Sequence, residues 1–260
     1  MSGLATRQRM NRLAIGALVC AALGGSSVSS MAQSGSTAAP ATVRVPATGR
    51  ERTGANADDI VRKLMQQNQR RADHLKGYTE RREYTVVYQG ITSLKASMTV
   101  EARYEAPTQK QFQILSQNGP NLLVDRVLKK LLESEQEAAE NPDQTALTPV
   151  NYTFSLLGEE KVAGRQCYLL HVEPRVASKF LYQGTIFVDA KDYAVVQIEA
   201  KPARNPSFWI GKTNIHHTYS KTGQFWLPEH DRTQGAVRIG GTAVLTIDYG
   251  PYHVQGLSVP

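Results

Sequence analysis

Three histidines in the C-terminal part of the chain are the residues whose type and spacing best suit metal chemistry. His216 and His217 are adjacent, and His230 follows with Asp231 beside it. Imidazole and carboxylate groups are ordinary zinc ligands, so these four residues form a candidate metal site. The surrounding alternation places His216 and His217 on a strand, however, and adjacent strand residues point to opposite faces of a sheet. The pattern therefore argues against a shared ion, and we expect no metal site and no cofactor.

A thiol and an imidazole four residues apart form the second candidate site. Cys167 and His171 fall within one predicted strand, on the same face but about two strand repeats apart, which is beyond hydrogen-bonding reach. The chain has no G-x-S-x-G, G-x-x-x-x-G-K or H-E-x-x-H pattern, the signatures of common catalytic and phosphate-binding sites. The sequence thus predicts no catalytic residue and no enzyme. The alternative, a hydrolase or transferase, needs a polar cluster inside the fold.

These residues lie in a long run of strand-like segments. The stretch from Gly164 to Ala200 alternates apolar and polar residues in three segments, and a short turn at 190–192 precedes the third segment. It predicts three consecutive antiparallel strands, with Cys167 as a small buried residue. The alternation places four residues of the third strand on the buried face: Ala194, Val196, Ile198 and Ala200. The clearest alternation, from Leu94 to Tyr104, indicates a sheet with one dry face and one solvated face.

Two segments with a period near 3.6 residues flank and interrupt the strands. The first begins at Asn56 or Asp58 and ends near Leu75, and the second runs from about Asn121 to Glu140. We interpret the glutamate-rich end of the second helix, residues 133–140, as a solvated helix end. About nine strands and two amphipathic helices leave two arrangements open. The helices can fill the sheet to make an ordinary core, or the sheet can curl into an incomplete barrel around a cavity.

The first 32 residues predict a cleaved secretory signal peptide. Three arginines precede an apolar run from Leu13 to Leu23, and Ser30-Met31-Ala32 is a small-x-small cleavage site. Removing those arginines lowers the formal net charge from +7 to +4 (7 − 3), and this modest charge together with export argues against a nucleic-acid partner. Residues 33–55 predict a disordered linker because they contain almost no large apolar residue. We therefore expect an exported protein that is cleaved near Ala32, and we expect it to be a monomer.

Four motifs carry a resemblance to a known family. They are G-x-x-C-Y-L-L-x-V-x-P at 164–174, I-F-V-D-x-x-x-Y-x-V-V-x-I-E-A at 186–200, F-W-L-P-E-H at 225–230 and L-T-I-D-Y at 245–249. Together with the order of helices and strands, they resemble the outer-membrane lipoprotein-sorting protein superfamily, the LolA/LolB-like group that includes the sensor domain of RseB. The resemblance spans about residues 58–252.

The resemblance implies a fold and a site. The implied fold class is α+β, an unclosed antiparallel β half-barrel of about nine to eleven strands with helices covering the concave face. It would occupy residues 56–253, with a tail at 254–260. Members of the superfamily bind acyl chains of lipoproteins or related lipids in a hydrophobic cavity. The carrier has a functional arginine in its early strands, where Arg81, Arg82 and Arg103 lie here; no motif matches any of them to it, and no binding residue is carried over.

We therefore expect a non-catalytic periplasmic carrier for a lipid or an acylated lipoprotein. Seven residues of the dry face are predicted to line its cavity: Met98, Val100, Tyr104, Phe154, Ile198, Leu245 and Ile247. The segment Phe208-Trp209-Ile210 is predicted to form the cavity rim. The alternative is a sensor or interaction module of the cell envelope, with a plugged cavity and an outer face or edge strand that binds another protein.

Overall fold

The computed structural model describes residues 56–204, 210–238 and 240–255. The predicted signal peptide and linker, and the predicted rim residues Phe208 and Trp209, lie outside these ranges. Eleven strands and four helices are present in the described residues. The last strand ends at Gln255, two residues beyond the predicted end of the domain.

The elements follow one another in a simple order. The strands are β1 (Gly77–Gln89), β2 (Ser93–Glu105), β3 (Gln109–Asn118), β4 (Tyr152–Val162), β5 (Arg165–Pro174), β6 (Tyr182–Asp189), β7 (Val195–Pro202), β8 (Ile210–Thr222), β9 (Phe225–Val237), β10 (Thr242–Tyr249) and β11 (His253–Gln255). The helices are α1 (Ala57–His74), α2 (Asn121–Leu123), α3 (Lys129–Glu140) and α4 (Pro142–Thr145). A π-helical turn, Val124–Leu128, joins α2 to α3, and we call residues 121–140 the α2–α3 segment.

All the strands belong to one antiparallel sheet. Its order is β3-β2-β1-β10-β9-β8-β7-β6-β5-β4, and β11 pairs with the beginning of β1. In the part of the chain that the structure describes, β3 and β4 each pair on one side only, so the sheet is not closed. The open half-barrel with covering helices confirms the predicted fold class. The three consecutive strands predicted between Gly164 and Ala200 are also confirmed, as β5, β6 and β7.

The ends of the two long helical segments have clear local causes. The Asn56 side chain accepts a 2.7 Å hydrogen bond from the backbone N–H of Asp59 and so caps α1. Gly119 joins β3 to α2 with φ at +111°, and a Cβ there would lie 2.6 Å from Ala96. Only glycine fits that position without strain, and it brings the α2–α3 segment back onto β2.

Both helical segments lie on the same face of the sheet, which we call the inner face. The α2–α3 cluster packs the buried residues of that segment, such as Leu128 and Leu131, against Tyr84, Met98 and Ile247 of the strands. The α1 cluster contains residues of α1, β4, β5, β6, β7 and β8, including Ile60, Leu64, Leu170, Ile186, Ile198 and Tyr219. Burial of these side chains stabilises the fold by about 25 cal/mol per Å² of apolar surface.

One strand departs from the predicted alternation. Ile186 pairs with Ile198, but the register shifts before Val188, which pairs with Val195. The extra residue turns Val196 to the other face, where it packs with Cys167 and Phe187. The expectation that Val196 shares a face with Ile198 is therefore wrong, because a β-bulge breaks the period of two.

Candidate functional site

The pairing registers define a row of residues across the middle of the inner face. Residues directly opposite each other on neighbouring strands point to the same side of a sheet. The row runs through Met98, Tyr84, Ile247, Asp231, His217, Ile198, Ile186, Leu170 and Leu156. It is apolar at both ends and polar at its centre, where β8 and β9 contribute His217 and Asp231.

The structure places the predicted lining residues on this face or at its ends. Met98, Val100 and Ile247 are buried in the α2–α3 cluster, and Leu245 packs against that cluster while remaining partly exposed. Ile198 is buried in the α1 cluster, against which Phe154 packs. Tyr104 belongs to a separate group with Tyr78 and Phe225. The seven residues are thus divided between three clusters, and whether they line a ligand site stays a prediction.

The predicted rim segment is described only at its last residue. Ile210 is buried at the start of β8, opposite Val237 on β9. Its role as a rim residue stays a prediction.

A cluster of charged side chains lies buried between the α2–α3 segment and the sheet. Arg82 on β1 donates through Nε to Glu80 at 2.6 Å and through Nη1 to Glu135 of α3 at 2.8 Å. Glu135 also accepts a 2.7 Å hydrogen bond from the Tyr84 hydroxyl and a 3.0 Å bond from Lys110 Nζ on β3. We call these five residues the ion cluster. It connects α3 to β1 through fully buried groups and to β3 through Lys110, whose side chain is 13% exposed.

Burial and charge shift the pKa values within the ion cluster in different directions. Burial raises the pKa of a carboxyl group, but the positive charges of Lys110 and Arg82 outweigh it at Glu135 and lower its pKa. At Glu80 the effect of burial exceeds that of Arg82, and the pKa is raised. Burial also raises the pKa of Tyr84. Burial lowers the pKa of Arg82, but its neighbours, Tyr84, Glu135, Tyr249 and Glu80, outweigh that effect and hold the pKa above its ordinary value. Arg82 therefore keeps its positive charge inside the cluster.

The ion cluster corrects one interpretation made from the sequence. Glu135 lies within the glutamate-rich run 133–140, which predicts a solvated helix end, yet its side chain is 3% exposed. Leu128, Leu131 and Leu132 occupy the helix face that leads to Glu135, and Ala138 continues it. A sequence signal therefore existed: Glu135 falls on the apolar stripe of the helix. Its exposed neighbour Glu133 points away from the sheet and pairs with Lys130.

The histidines are separated in the way that their positions predict. His217 is buried on the inner face, with Nδ1 2.8 Å from Asp231 Oδ1. His216 lies on the opposite face near Glu199, at 3.9 Å. His230 Nδ1 is 2.7 Å from Asp248 Oδ1 rather than near Asp231. Among the described residues, no group of three or more His, Cys, Asp or Glu side chains could hold a metal ion.

Cys167 and His171 share a strand but make no contact that suits nucleophilic chemistry. The Cys167 thiol is buried on the face opposite the helices and donates to the Arg165 carbonyl oxygen at 3.5 Å. Burial raises the pKa of this thiol, which disfavours the reactive thiolate. His171 lies near Glu173, 3.5 Å away.

The stability supplied by Glu135 is expected to disappear in acid. The pKa of Glu135 is lower in the folded chain than in the unfolded chain. Its contribution to the free energy of unfolding is therefore complete above about pH 4.3, the ordinary pKa of glutamate, and is lost as the pH falls through the lower pKa of the folded chain. Urea unfolding should show Glu135→Gln to be less stable than the parent at about pH 7, with a gap that narrows towards about pH 3. Glu133→Gln is the matched control on the same helix, and we expect little change at either pH. A gap independent of pH would contradict this assignment.

No helix in the described ranges combines the length and the apolar character that a bilayer-crossing helix needs.

Comparison with known proteins finds similar solved structures at low sequence identity. No protein family profile and no curated protein sequence matches the chain. A DUF1329 family protein from Desulfovibrio piger is similar at 12% identity and a TM-score of 0.42, over 79% of this chain and 96% of that one. A LolA superfamily protein from Nitrosomonas europaea is similar at 9% identity and a TM-score of 0.35, over 80% and 96%. The MucA/MucB complex from Pseudomonas aeruginosa contains a similar chain, at 12% identity and a TM-score of 0.25, over 74% and 93%. These similar structures thus include a member of the LolA superfamily, the group that the sequence motifs resemble.

Proposed function

We propose that the chain is a non-catalytic binding protein that takes up the acyl chains of a lipid or lipoprotein between the inner face and the helices. One observation carries this proposal: the helices cover the apolar inner face incompletely. Phe112, Leu245, Phe154 and Leu156 belong to the inner face by register, and each keeps accessible surface in the described structure. Removing such surface from water favours an apolar ligand by about 25 cal/mol per Å².

We propose that this activity takes place in the periplasm. The predicted signal peptide supports export, and a periplasmic carrier meets acylated lipoproteins and lipids in transit between membranes. The single domain proposed for residues 56–253 would hold the whole site, with β11 as an extension of its sheet. We propose no metal and no cofactor for this binding.

The α2–α3 segment is the proposed movable cover of the site. It returns to the sheet through Gly119 and contains the π-helical turn Val124–Leu128, a type of irregularity that often marks functional positions in helices. Its apolar contacts and the ion cluster hold it on β1, β2 and β3. Separation of this segment from the sheet would open the inner face without breaking any strand pairing.

The test uses one charged residue introduced on either face of β10. Leu245→Glu places a carboxylate on the inner face, whereas Thr246→Glu places it on the opposite face of the same strand. Titration with the neutral fluorophore N-phenyl-1-naphthylamine should show binding by the parent and by Thr246→Glu. Leu245→Glu should weaken it at least about tenfold, because a charge on an apolar face is strongly unfavourable.

Two further measurements complete this test. Circular dichroism should show that both variants keep the strand content of the parent. Native mass spectrometry of the chain purified from an envelope extract should detect a bound lipid. Absence of lipid together with absence of fluorophore binding would contradict the proposal.

A second candidate function rests on the free edges of the sheet. Leu156 and Leu157 on β4, and Ile114 and Leu115 on β3, are more than a third exposed, beside backbone groups that pair on one side only. An extended segment of another envelope protein could add to such an edge as a further strand. Under this hypothesis, Leu157→Lys would abolish binding of a protein partner and leave fluorophore binding unchanged. Acyl-chain binding instead predicts that Leu245→Glu weakens fluorophore binding.

A further inference from the structure

Three polar side chains on β8 and β9 lie buried on the inner face, and each has an atom without a hydrogen-bond partner. These atoms are Nε2 of His217, the hydroxyl oxygen of Tyr219 and Oδ1 of Asp231. The residues are 2%, 6% and 4% exposed. A buried polar atom without a partner destabilises a fold, because the atom has lost its hydrogen bonds to water. Three of them within one small region therefore need a physical explanation.

Their position is between the two apolar clusters. His217 lies opposite Asp231 on one side and Ile198 of the α1 cluster on the other. Asp231 in turn lies opposite Ile247 of the α2–α3 cluster. Tyr219 follows His217 by two residues on the same face of β8 and packs in the α1 cluster. A ligand lying along the inner face would thus meet these polar groups between two stretches of apolar surface.

Neighbouring groups already hold Asp231 in place. The Tyr249 hydroxyl donates to Asp231 Oδ2 at 2.7 Å, and the Tyr249 ring lies over the Arg82 guanidinium, 4.6 Å from its centroid. Asp231 Oδ1 lies at ion-pair distance, 2.8 Å, from His217 Nδ1, and no hydrogen bond satisfies its remaining lone pair. Tyr249 and His217 therefore orient the carboxylate, while one lone pair of Oδ1 stays available.

The available atoms have complementary hydrogen-bonding roles. Asp231 Oδ1 can only accept while the carboxylate is ionised. Burial, reinforced by the negative charge of Asp231, raises the pKa of Tyr219, so its hydroxyl keeps the proton and can donate. His217 Nε2 donates or accepts according to its tautomer. A neutral group that both donates and accepts, such as a hydroxyl, satisfies this set, whereas a carboxylate would be repelled by Asp231.

We propose that His217, Tyr219 and Asp231 form a polar subsite that binds the neutral, hydroxyl-bearing head group of an acyl ligand. This inference rests on the proposed binding of acyl chains and specifies the ligand class. The subsite would select hydroxyl-headed amphiphiles over fatty-acid anions with the same hydrocarbon chain.

The test compares two ligands that share one hydrocarbon chain, 1-monooleoylglycerol and oleate. Each ligand is titrated against the chain with N-phenyl-1-naphthylamine bound, at about pH 8, where oleate is ionised, and displacement of the fluorophore is measured. The parent is expected to bind monooleoylglycerol about tenfold more tightly, which corresponds to roughly 1.4 kcal/mol, the size of one hydrogen bond. Tyr219→Phe and Asp231→Asn are expected to remove most of this preference.

Controls separate a binding role from a structural one. Tyr219→Phe removes a hydroxyl without a partner, so we expect its free energy of unfolding to be unchanged or raised while the ligand preference falls. Tyr252→Phe is the matched control, because the Tyr252 hydroxyl already donates to the Pro228 carbonyl oxygen at 2.9 Å. It should leave the preference intact.

The outcomes distinguish the subsite from the proposed function. The subsite proposal would be overturned if the parent bound both ligands with equal affinity, or if the preference survived both substitutions. Acyl-chain binding would still be supported in either case, provided that the fluorophore binds. Buried water alone at these three residues would give that result. Failure of the fluorophore and both ligands to bind would overturn the two proposals together.

Discussion

Replacing Arg82 with alanine is expected to lower the free energy of unfolding by about 3–5 kcal/mol at neutral pH. Within the ion cluster, Arg82 donates hydrogen bonds to three other members: Glu80, Glu135 and Tyr84. Its loss removes the ion-pair partner of the buried Glu80 and leaves Lys110 as the ion-pair partner of Glu135 in the ion cluster. Removing one partner of a buried ion pair is costly because the remaining charge stays out of water. Urea unfolding monitored by circular dichroism measures the change.

Arg81 provides a matched control for this variant. It is the adjacent residue on β1, and its side chain is exposed on the opposite face. Arg81→Ala is expected to change the free energy of unfolding by no more than about 0.5 kcal/mol. The loss in Arg82→Ala should shrink as the pH falls, because protonation removes the buried charges that it leaves unpaired. Similar stability of the two variants at neutral pH would show that the ion cluster contributes little.

The general architecture was predictable because it depends on local patterns. Alternation from Leu94 to Tyr104 identified the buried face of β2, and Ala96, Met98, Val100 and Ala102 are all buried. Asn56 was a recognisable helix cap, and it does cap α1. A period of two or 3.6 residues is a property of each element by itself, so it can be seen without knowing which elements are neighbours.

The ion cluster was missed because its members are far apart in sequence. Glu80 and Arg82 occupy the same alternating positions as Tyr84, so a strand with buried charges was detectable on β1. Their partner Glu135 follows Arg82 by 53 residues, and nothing in the sequence pairs the two. The glutamates at 133, 135, 137 and 140 are equivalent by residue type. Only the position of Glu135 on the apolar face of the helix indicates that it is buried.

His217 and Asp231 of the polar subsite were recognised in the sequence, but Asp231 was grouped with the wrong histidine. Sequence adjacency joined Asp231 to His230, whereas strand pairing joins it to His217. Pairing registers decide such contacts, and β8 and β9 contain two shifts that no local pattern specifies. The same limit explains Val196, which the bulge on β7 turns away from the inner face. Bulges change the face of a residue without changing its sequence pattern.

Truncating Leu128 is expected to destabilise the fold by about 2–5 kcal/mol, the usual cost of replacing a fully buried leucine with alanine. Leu128 is the last residue of the π-helical turn and is completely buried against the strands of the α2–α3 cluster. Its removal leaves a cavity between the segment and the sheet. Leu122 is the matched control, because it lies in the same segment but is 65% exposed. Leu122→Ala should change the free energy of unfolding by no more than about 0.5 kcal/mol.

The same pair of variants tests whether the α2–α3 segment covers a ligand. If opening of this segment limits ligand exit, weakening its contact with the sheet lowers the free-energy difference between the closed and open arrangements. Stopped-flow measurement of N-phenyl-1-naphthylamine release should then show faster dissociation from Leu128→Ala than from the parent, and an unchanged rate for Leu122→Ala. Destabilisation of Leu128→Ala with an unchanged release rate would place ligand exit elsewhere, along the free edges of β3 and β4. The free energy of unfolding therefore reports on the packing of the segment, and the rate of fluorophore release reports on its role as a cover.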